Sequence, residues 1–268
     1  MASIVFGCVV PHPPLIVPDV GRGGEREISA TTRAMEELTD KLSLQRPETA
    51  LIISPHGSYH ADAMGILTVP SSSGDMSTWG SRTPRQEYDN DLNLVGLIQQ
   101  EAKKADIPLR SIGKGGYNLD HGVMVPLHFL GKALKGVSLV PLTFSWLSLE
   151  THFSFGKIMA KAAEQSKKRV VLIASGDLSH RLIPSAPAGY DPMGKTFDQK
   201  LVKALSCLDT KSILNLDKEL IERAGECGLR PVVILLGALD GLKVEPKILS
   251  YEGPFGVGYM VASFEVIS

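Results

Sequence analysis

Three histidines stand where buried strands could end. Ile4-Val5-Phe6-Gly7-Cys8-Val9-Val10 is an almost wholly apolar run that stops at Pro11-His12-Pro13-Pro14. Thr49-Ala50-Leu51-Ile52-Ile53-Ser54 stops at Pro55-His56, and Arg169-Val170-Val171-Leu172-Ile173-Ala174-Ser175 opens into Gly176-Asp177-Leu178-Ser179-His180. Short, continuous apolar runs bounded in this way read as strands buried on both faces of a sheet. Proline fixes φ and has no N–H for a ladder, so Pro11, Pro13 and Pro14 end the pairing and stiffen the loop that follows. A lone histidine is more often structural than a ligand. Two in the same position, on parallel strands joined by one right-handed crossover and so expected to be neighbours, point instead to a shared metal ion.

His121 and His180 each share a loop with an acid, Asp120 and Asp177. A carboxylate that holds one ring nitrogen frees the other for general acid–base work or for support of a metal ligand. The alternative is a satisfied hydrogen-bonding pair in a turn. His60 could ligate only if the chain after His56 were helical, which Gly57 opposes, so it reads as a pocket-wall residue. His128 reads as a core histidine within an apolar helix, and His152 as a surface residue in a first helical turn.

Two histidines need an anionic third donor, and the candidates are Glu226, Cys227, Asp177 and Glu252. Glu226 and Cys227 share the turn Gly225-Glu226-Cys227-Gly228, where the backbone can bend to aim a side chain inward. Glu252, before Gly253-Pro254, reads better as a surface carboxylate. A carboxylate would complete the facial triad of non-haem Fe(II) oxygenases, whereas a thiolate favours copper or zinc.

The elements that must position these residues alternate along the chain. A helix is expected over Glu27–Leu44, then the strand to Ser54, a strand over Met64–Val69, and a long polar segment from Pro70 to Gln86. That segment is expected to be a substrate-covering lid or a loosely ordered excursion. Helices are expected over Tyr88–Ala105, Val123–Leu134, Glu150–Lys167, Lys195–Cys207, Asp217–Ala224 and Val232–Leu239, the last with Pro231 at its first position. Strands are expected over Ile107–Ile112, Val137–Phe144, Val244–Tyr251 and Val257–Ile267. Gly113-Lys114-Gly115-Gly116 reads as a flexible turn, since its spacing fails the dinucleotide fingerprint. The alternation implies an α/β fold, and no repeat or linker divides it, so residues 1–268 read as one domain.

Composition excludes several classes. Of 268 residues 43% are hydrophobic and 21% charged, enough for a real core and unlike a disordered chain. A net charge of −1 without a Lys/Arg cluster argues against nucleic acid or an anionic membrane as partner. No apolar run approaches the roughly 20 residues of a membrane span, and Met1-Ala2-Ser3 gives no basic flank for a signal peptide. Three cysteines without C-x-x-C fit a reducing, cytoplasmic setting.

Val10-Pro11-His12-Pro13-Pro14, Ser54-Pro55-His56-Gly57, Leu119-Asp120-His121-Gly122 and Ser175-Gly176-Asp177-Leu178-Ser179-His180, in that order, resemble the class III extradiol ring-cleavage dioxygenases, the LigB-like family. The Gly225-Glu226-Cys227-Gly228 turn and the Glu252–Tyr259 ending are most similar to a microbial branch near the Memo proteins, the AmmeMemoRadiSam system protein B branch. The resemblance implies a three-layer α/β/α domain with a mostly parallel or mixed central sheet. It implies His12 and His56 as metal ligands, His180 as catalytic base and His121 as a second pocket histidine. Glutamate is the third ligand in ring-cleaving members and cysteine in Memo-like ones, so Glu226 and Cys227 both stay open.

Two functions follow from the resemblance. One is a non-haem Fe(II) dioxygenase that opens a small aromatic diol with O₂. The other is a Memo-like redox or scaffold protein with copper or zinc as alternative ions. A zinc hydrolase on the same histidines is a third reading. The resemblance also implies AMMECR1-type and radical-SAM functional partners and homodimerisation. An AMMECR1-like part of this chain is not expected, since the sequence stops after the last strand.

Overall fold

The computed structural model describes residues 3–58, 60–113 and 118–267, with the backbone alone at 82–84. Its strands are β1 (Ile4–Val10), β2 (Thr49–Ser54), β3 (Met64–Leu67), β4 (Ser71–Met76), β5 (Ser81–Asp89), β6 (Leu109–Ile112), β7 (Ser138–Thr143), β8 (Val170–Ser175), β9 (Val244–Glu252) and β10 (Tyr259–Val266). Its helices are α1 (Pro18–Gly21), α2 (Ser29–Leu44), α3 (Leu92–Lys104), α4 (His121–Leu130), α5 (Leu149–Ser166), α6 (Pro192–Ser206), α7 (Thr210–Leu214), α8 (Lys218–Ala224) and α9 (Leu229–Leu239).

The main sheet runs β6-β3-β7-β2-β8-β1-β10-β9. Its centre, β7-β2-β8-β1, is parallel, while β3 meets β7 and β10 meets β1 antiparallel. All residues of β1, β2 and β8 are buried, as continuous apolar runs require when both faces are covered. Side chains of β2 alternate between two cores. Leu51 and Ile53 join the layer formed with α3, α5, α6 and α9, and Ala50 and Ile52 join the layer formed with α2 and α4. The result is a three-layer α/β/α architecture.

Two expectations about topology are corrected. β1 and β2 are parallel but not neighbours, because β8 lies between them and pairs with both. Residues 70–86 are not a loosely ordered excursion: β4 and β5 form a two-stranded hairpin around a 3-10 turn at Ser77–Trp79. Its alternation of buried and less buried residues was hidden by a sequence of serines and glycine. The hairpin also takes Tyr88, so the following helix starts at Leu92, capped by Asp91 through Leu94 N–H. The next expected turn lies outside the described residues at 114–116. Farther on, α7 had no strong pattern of its own, and α9 starts at Leu229 with Pro231 in its first turn.

The two histidines assigned to core and surface exchange places. His128 is exposed on α4, while His152 in the first turn of α5 is buried. A carbonyl can only accept, so the 2.7 Å contact of His152 Nδ1 with Ser148 O puts the proton on Nδ1. Nε2 then accepts from Ser145 N at 3.3 Å. Behind it α5 and α9 meet backbone to backbone: a Cβ on Gly156 would strike the Ile234 carbonyl oxygen, and one on Gly237 the Phe153 carbonyl oxygen.

Gly156→Ala should therefore destabilise the fold by about 1–3 kcal/mol, the usual penalty of overpacking, read as a lowered denaturant midpoint. A second outcome concerns pH. Burial lowers the His152 pKa from 6.5 to about 4, so between those values the unfolded chain binds the extra proton. Stability from neutral His152 is complete above pH 6.5 and is lost as pH falls towards 4. Unfolding midpoints measured across this window should fall less steeply in His152→Gln than in the parent.

Candidate metal centre

β1, β8 and β2 end level with one another, since Val10 pairs with Ser175 and Ile53 with Ala174. His12, Asp177 and His56 each follow the last residue of their strand by two positions. The three side chains therefore leave the same edge of the sheet, at the carboxyl ends where α/β folds bind ligands. Because β8 is the middle strand, its loop leaves the sheet between the loops that carry the two histidines.

His12 is 2% exposed. Its backbone N–H donates to Asp177 Oδ1 at 2.9 Å, and its Nδ1 lies 2.9 Å from Ser175 Oγ. The Ser175 hydroxyl spends its proton on Gly122 O at 2.5 Å, so it must accept from His12. His12 is thereby fixed as the Nδ1–H tautomer, and its Nε2 presents a bare lone pair. That lone pair faces His56 Nε2 at 3.0 Å and Cys227 Sγ at 3.7 Å. The donor atoms of His12, His56 and Cys227 all lie within 4.8 Å of one another.

Cys227 reaches this point because two loops touch. Cys227 N–H donates to Asp177 O at 3.2 Å, and Asp177 N–H donates to Cys227 Sγ at 3.3 Å. A Cβ on Gly176 would overlap the Gly228 Cα, so a side chain there would push the thiol away from the histidines. On the other side, the His56 N–H donates to Ser54 Oγ at 3.2 Å, and Ser54 donates to Asp120 Oδ1 at 2.5 Å.

Burial keeps this site uncharged. It drives the His12 pKa well below 6.5, helped by the nearby His56, His121 and His180, and lowers His56 to about 4. Burial raises Asp120, takes Asp177 up to about 7, and pushes the Cys227 thiol up, with Asp177 adding to it. Neutral imidazoles with free lone pairs are what a metal ion requires. The thiol would deprotonate only against a cation, which inverts its local electrostatics. The donor set thus fits a soft or borderline transition ion.

The other expected residues divide. His121 opens α4 and stacks on His56, with centroids 4.1 Å apart and planes at 28°. His180 Nε2 lies 4.0 Å from Asp177 Oδ2, which is also 3.9 Å from His12 Nε2. Glu226 is not brought into the group: its Oε2 accepts from Leu229 N at 2.6 Å, at the start of α9, with Arg230 3.9 Å from Oε1. Its carboxyl is pushed up to about 7 by burial. Glu252 accepts from Thr31 N and Oγ1, both at 2.6 Å, at the start of α2. His60 is partly exposed and lies outside the donor group.

Three contributors were not anticipated. Ser54 and Ser175 close apolar strands, and a buried hydroxyl at that position was the available signal. Asp198 is fully buried on α6, where it accepts from Ser179 N at 2.9 Å and from Tyr251 Oη at 2.6 Å, so it holds the Asp177–His180 loop. Its place between Phe197 and Leu201 on the apolar stripe marked it as a partnered core acid.

Residues 7–262 match the family described as the catalytic LigB subunit of aromatic ring-opening dioxygenase. The chain belongs to the LigB family. It is 37% identical to a Clostridium acetobutylicum protein over 97% of this chain and 57% of that protein, so it spans little more than half that relative's length. A MEMO1 family protein of Methanocaldococcus jannaschii is 24% identical over 80% of this chain and 68% of its own. The 3,4-dihydroxyphenylacetate 2,3-dioxygenase of Escherichia coli is 25% identical over 85% of this chain and 83% of its own. The crystal structure of an uncharacterized Escherichia coli K12 protein shares the fold, with a TM-score of 0.68 at 18% identity over 97% of this chain and 99% of that one. Among the described residues no helix of this LigB-family chain is long and apolar enough to cross a membrane.

Ser175→Ala removes the acceptor that fixes the His12 tautomer. Metal affinity should fall about 10–100-fold, the usual cost of losing such support, when measured by competition with a chromogenic chelator. Unchanged affinity would mean that the tautomer is set by something else.

Proposed function

We propose that this LigB-family protein is a Memo-type metal-binding redox protein, with His12, His56 and Cys227 holding the ion. The observation that supports it is the third donor: the thiol of Cys227 faces both imidazoles, while the neighbouring carboxylate of Glu226 serves α9. Two imidazoles and a thiolate suit copper or zinc, and iron is the family alternative. A bound redox-active ion would supply one-electron exchange that these side chains lack. The protein's part is to hold His12 in one tautomer, to exclude water from a fully buried imidazole, and to keep a proton carrier at hand. His180 Nε2 and Asp177 Oδ2, 4.0 Å apart, are placed to take and return a proton beside the donors.

A second reading, extradiol cleavage of a catechol with Fe(II) and O₂, is favoured by the pocket histidines. Burial lowers the His180 pKa, so a neutral imidazole is available to take a phenolic proton. In that case His121 would form the wall opposite.

The two readings separate on paired variants. After anaerobic loading with Fe(II) or Cu(I), Cys227→Ala should lose stoichiometric binding and Glu226→Gln should keep it. Sulfur ligation should appear in the metal's X-ray absorption. A catechol panel with O₂ should give no yellow ring-opened product. Loss of metal in Glu226→Gln, together with catechol turnover, would establish the dioxygenase instead.

A further inference from the structure

An unbroken column of rings leads away from the donor group. His56 lies against His121 at 4.1 Å between centroids, and His121 meets the Trp79 indole edge-on at 5.4 Å. His121 is partly buried, while His56 and Trp79, the latter at 46%, are exposed. The column thus begins at a donor nitrogen 3.0 Å from His12 Nε2 and ends in water.

Trp79 is held in that place by the segment that carries His121. Leu119 N donates to Ser73 O at 2.8 Å, which ties the β4–β5 hairpin to the start of α4. A Cβ on Gly74 would come 2.5 Å from Met124 Sδ and 3.0 Å from Leu119 Cβ, so the hairpin packs closely on that helix. Met76 is buried, and the single 3-10 turn Ser77–Trp79 is closed by Gly80 at φ 89°. Indole and imidazole are therefore referenced to one frame. Edge-to-face contact alone would explain their affinity for each other. It does not explain why an apolar ring half-open to water terminates a stack that starts at a metal donor.

We propose that Trp79 is the electron outlet of the centre, the residue that gives up an electron when the loaded site meets peroxide. The inference rests on the metal reading above. Of the three rings indole is the most readily oxidised, so the imidazoles of His56 and His121 bridge and Trp79 reacts. Hydrogen peroxide takes two electrons and two protons, its O–O bond breaks, and two waters form. One electron comes from the ion, which ends one unit more oxidised, and one from the indole. The indole N–H supplies one proton and solvent the other, which leaves a neutral tryptophanyl radical at the surface, where a small thiol can reduce it. The benefit is to Cys227, the donor most exposed to the oxidation ladder of thiolates.

Trp146 is the internal control. It is the other tryptophan of the chain and is more exposed at 57%, but it lies under the Arg230 guanidinium at 4.3 Å and is not part of the column. The wild-type protein would be loaded anaerobically with Fe(II), its stoichiometry measured, and then given one equivalent of hydrogen peroxide. Peptide mass mapping and freeze-quench EPR are the readouts, with metal-free protein treated alike. Loading should raise the Trp79-to-Trp146 oxidation ratio about tenfold over the metal-free ratio, against what exposure alone would give, with His56 and His121 intact. Trp79→Phe should bind Fe(II) as the parent does, lose the radical signal, and lose more Cys227 to sulfinic acid. An unchanged ratio, or oxidation spread over His56, His121 and Trp79 as by a diffusing radical, would overturn the outlet. Failure to bind Fe(II) at all, read before peroxide is added, would overturn the iron-loaded centre and this inference with it.

Discussion

The site depends on one hydrogen bond whose direction is not free. Ser175 gives its proton to Gly122 O, so its oxygen can only accept, and His12 Nδ1 must donate. Everything else at the centre is arranged around the lone pair that this leaves on His12 Nε2. The bond exists because β1 and β8 are in register as far as Val10 and Ser175, which sets a histidine two residues beyond one strand against the last residue of the other. Sheet register thus becomes a tautomer, and the tautomer leaves a free lone pair.

The electrostatics follow from the same burial. Desolvation around the donors disfavours charged forms, so imidazoles lose their protons while carboxyls and the thiol keep theirs. Without a cation the pocket is a nearly neutral assembly of donors. An ion reverses the balance, because it stabilises the thiolate of Cys227 and the carboxylate of Asp177 together. Asp177 Oδ2 stands about equally far from His12 and His180, 3.9 and 4.0 Å, so that charge would be felt at the metal side and at the proton carrier alike.

Strand ends and histidines were readable in the sequence because proline after an apolar run has few other uses. Pro11-His12 and Pro55-His56 announced themselves, and the Asp177–His180 loop closed a third run. Neighbour relations were less legible. A β-α-β unit says that two strands are parallel, but nothing local says that β8, more than a hundred residues on, will slot between β1 and β2. The hairpin at 71–89 was hidden for a different reason: its strands are built of Ser, Gly, Thr and Arg, and they hold together by pairing and by docking on α4 rather than by an apolar face of their own. Its Trp79, within the polar stretch, meets His121 edge-on. His128 and His152 show the limit of helical position as a guide, since a first-turn histidine that satisfies both nitrogens can be buried and one in an apolar helix can face outward.

The choice between Glu226 and Cys227 shows how a local rule decides chemistry. Consecutive side chains in a turn point in divergent directions, so one of the two had to face the histidines and the other had to leave. The first N–H groups of α9 need acceptors, and a carboxylate three residues before Leu229 can supply one with a charge that favours the helix N-terminus. Glu226 is captured by that demand, at 2.6 Å from Leu229 N. A thiol is a poor acceptor and gains nothing there, so Cys227 is the side chain left for the centre. Which of the two side chains faces the histidines is thus set by helix capping and not by the histidines themselves. A chain of the same fold with a serine hydroxyl satisfying the first N–H of α9 would release its glutamate, and with it the option of a carboxylate-held ion.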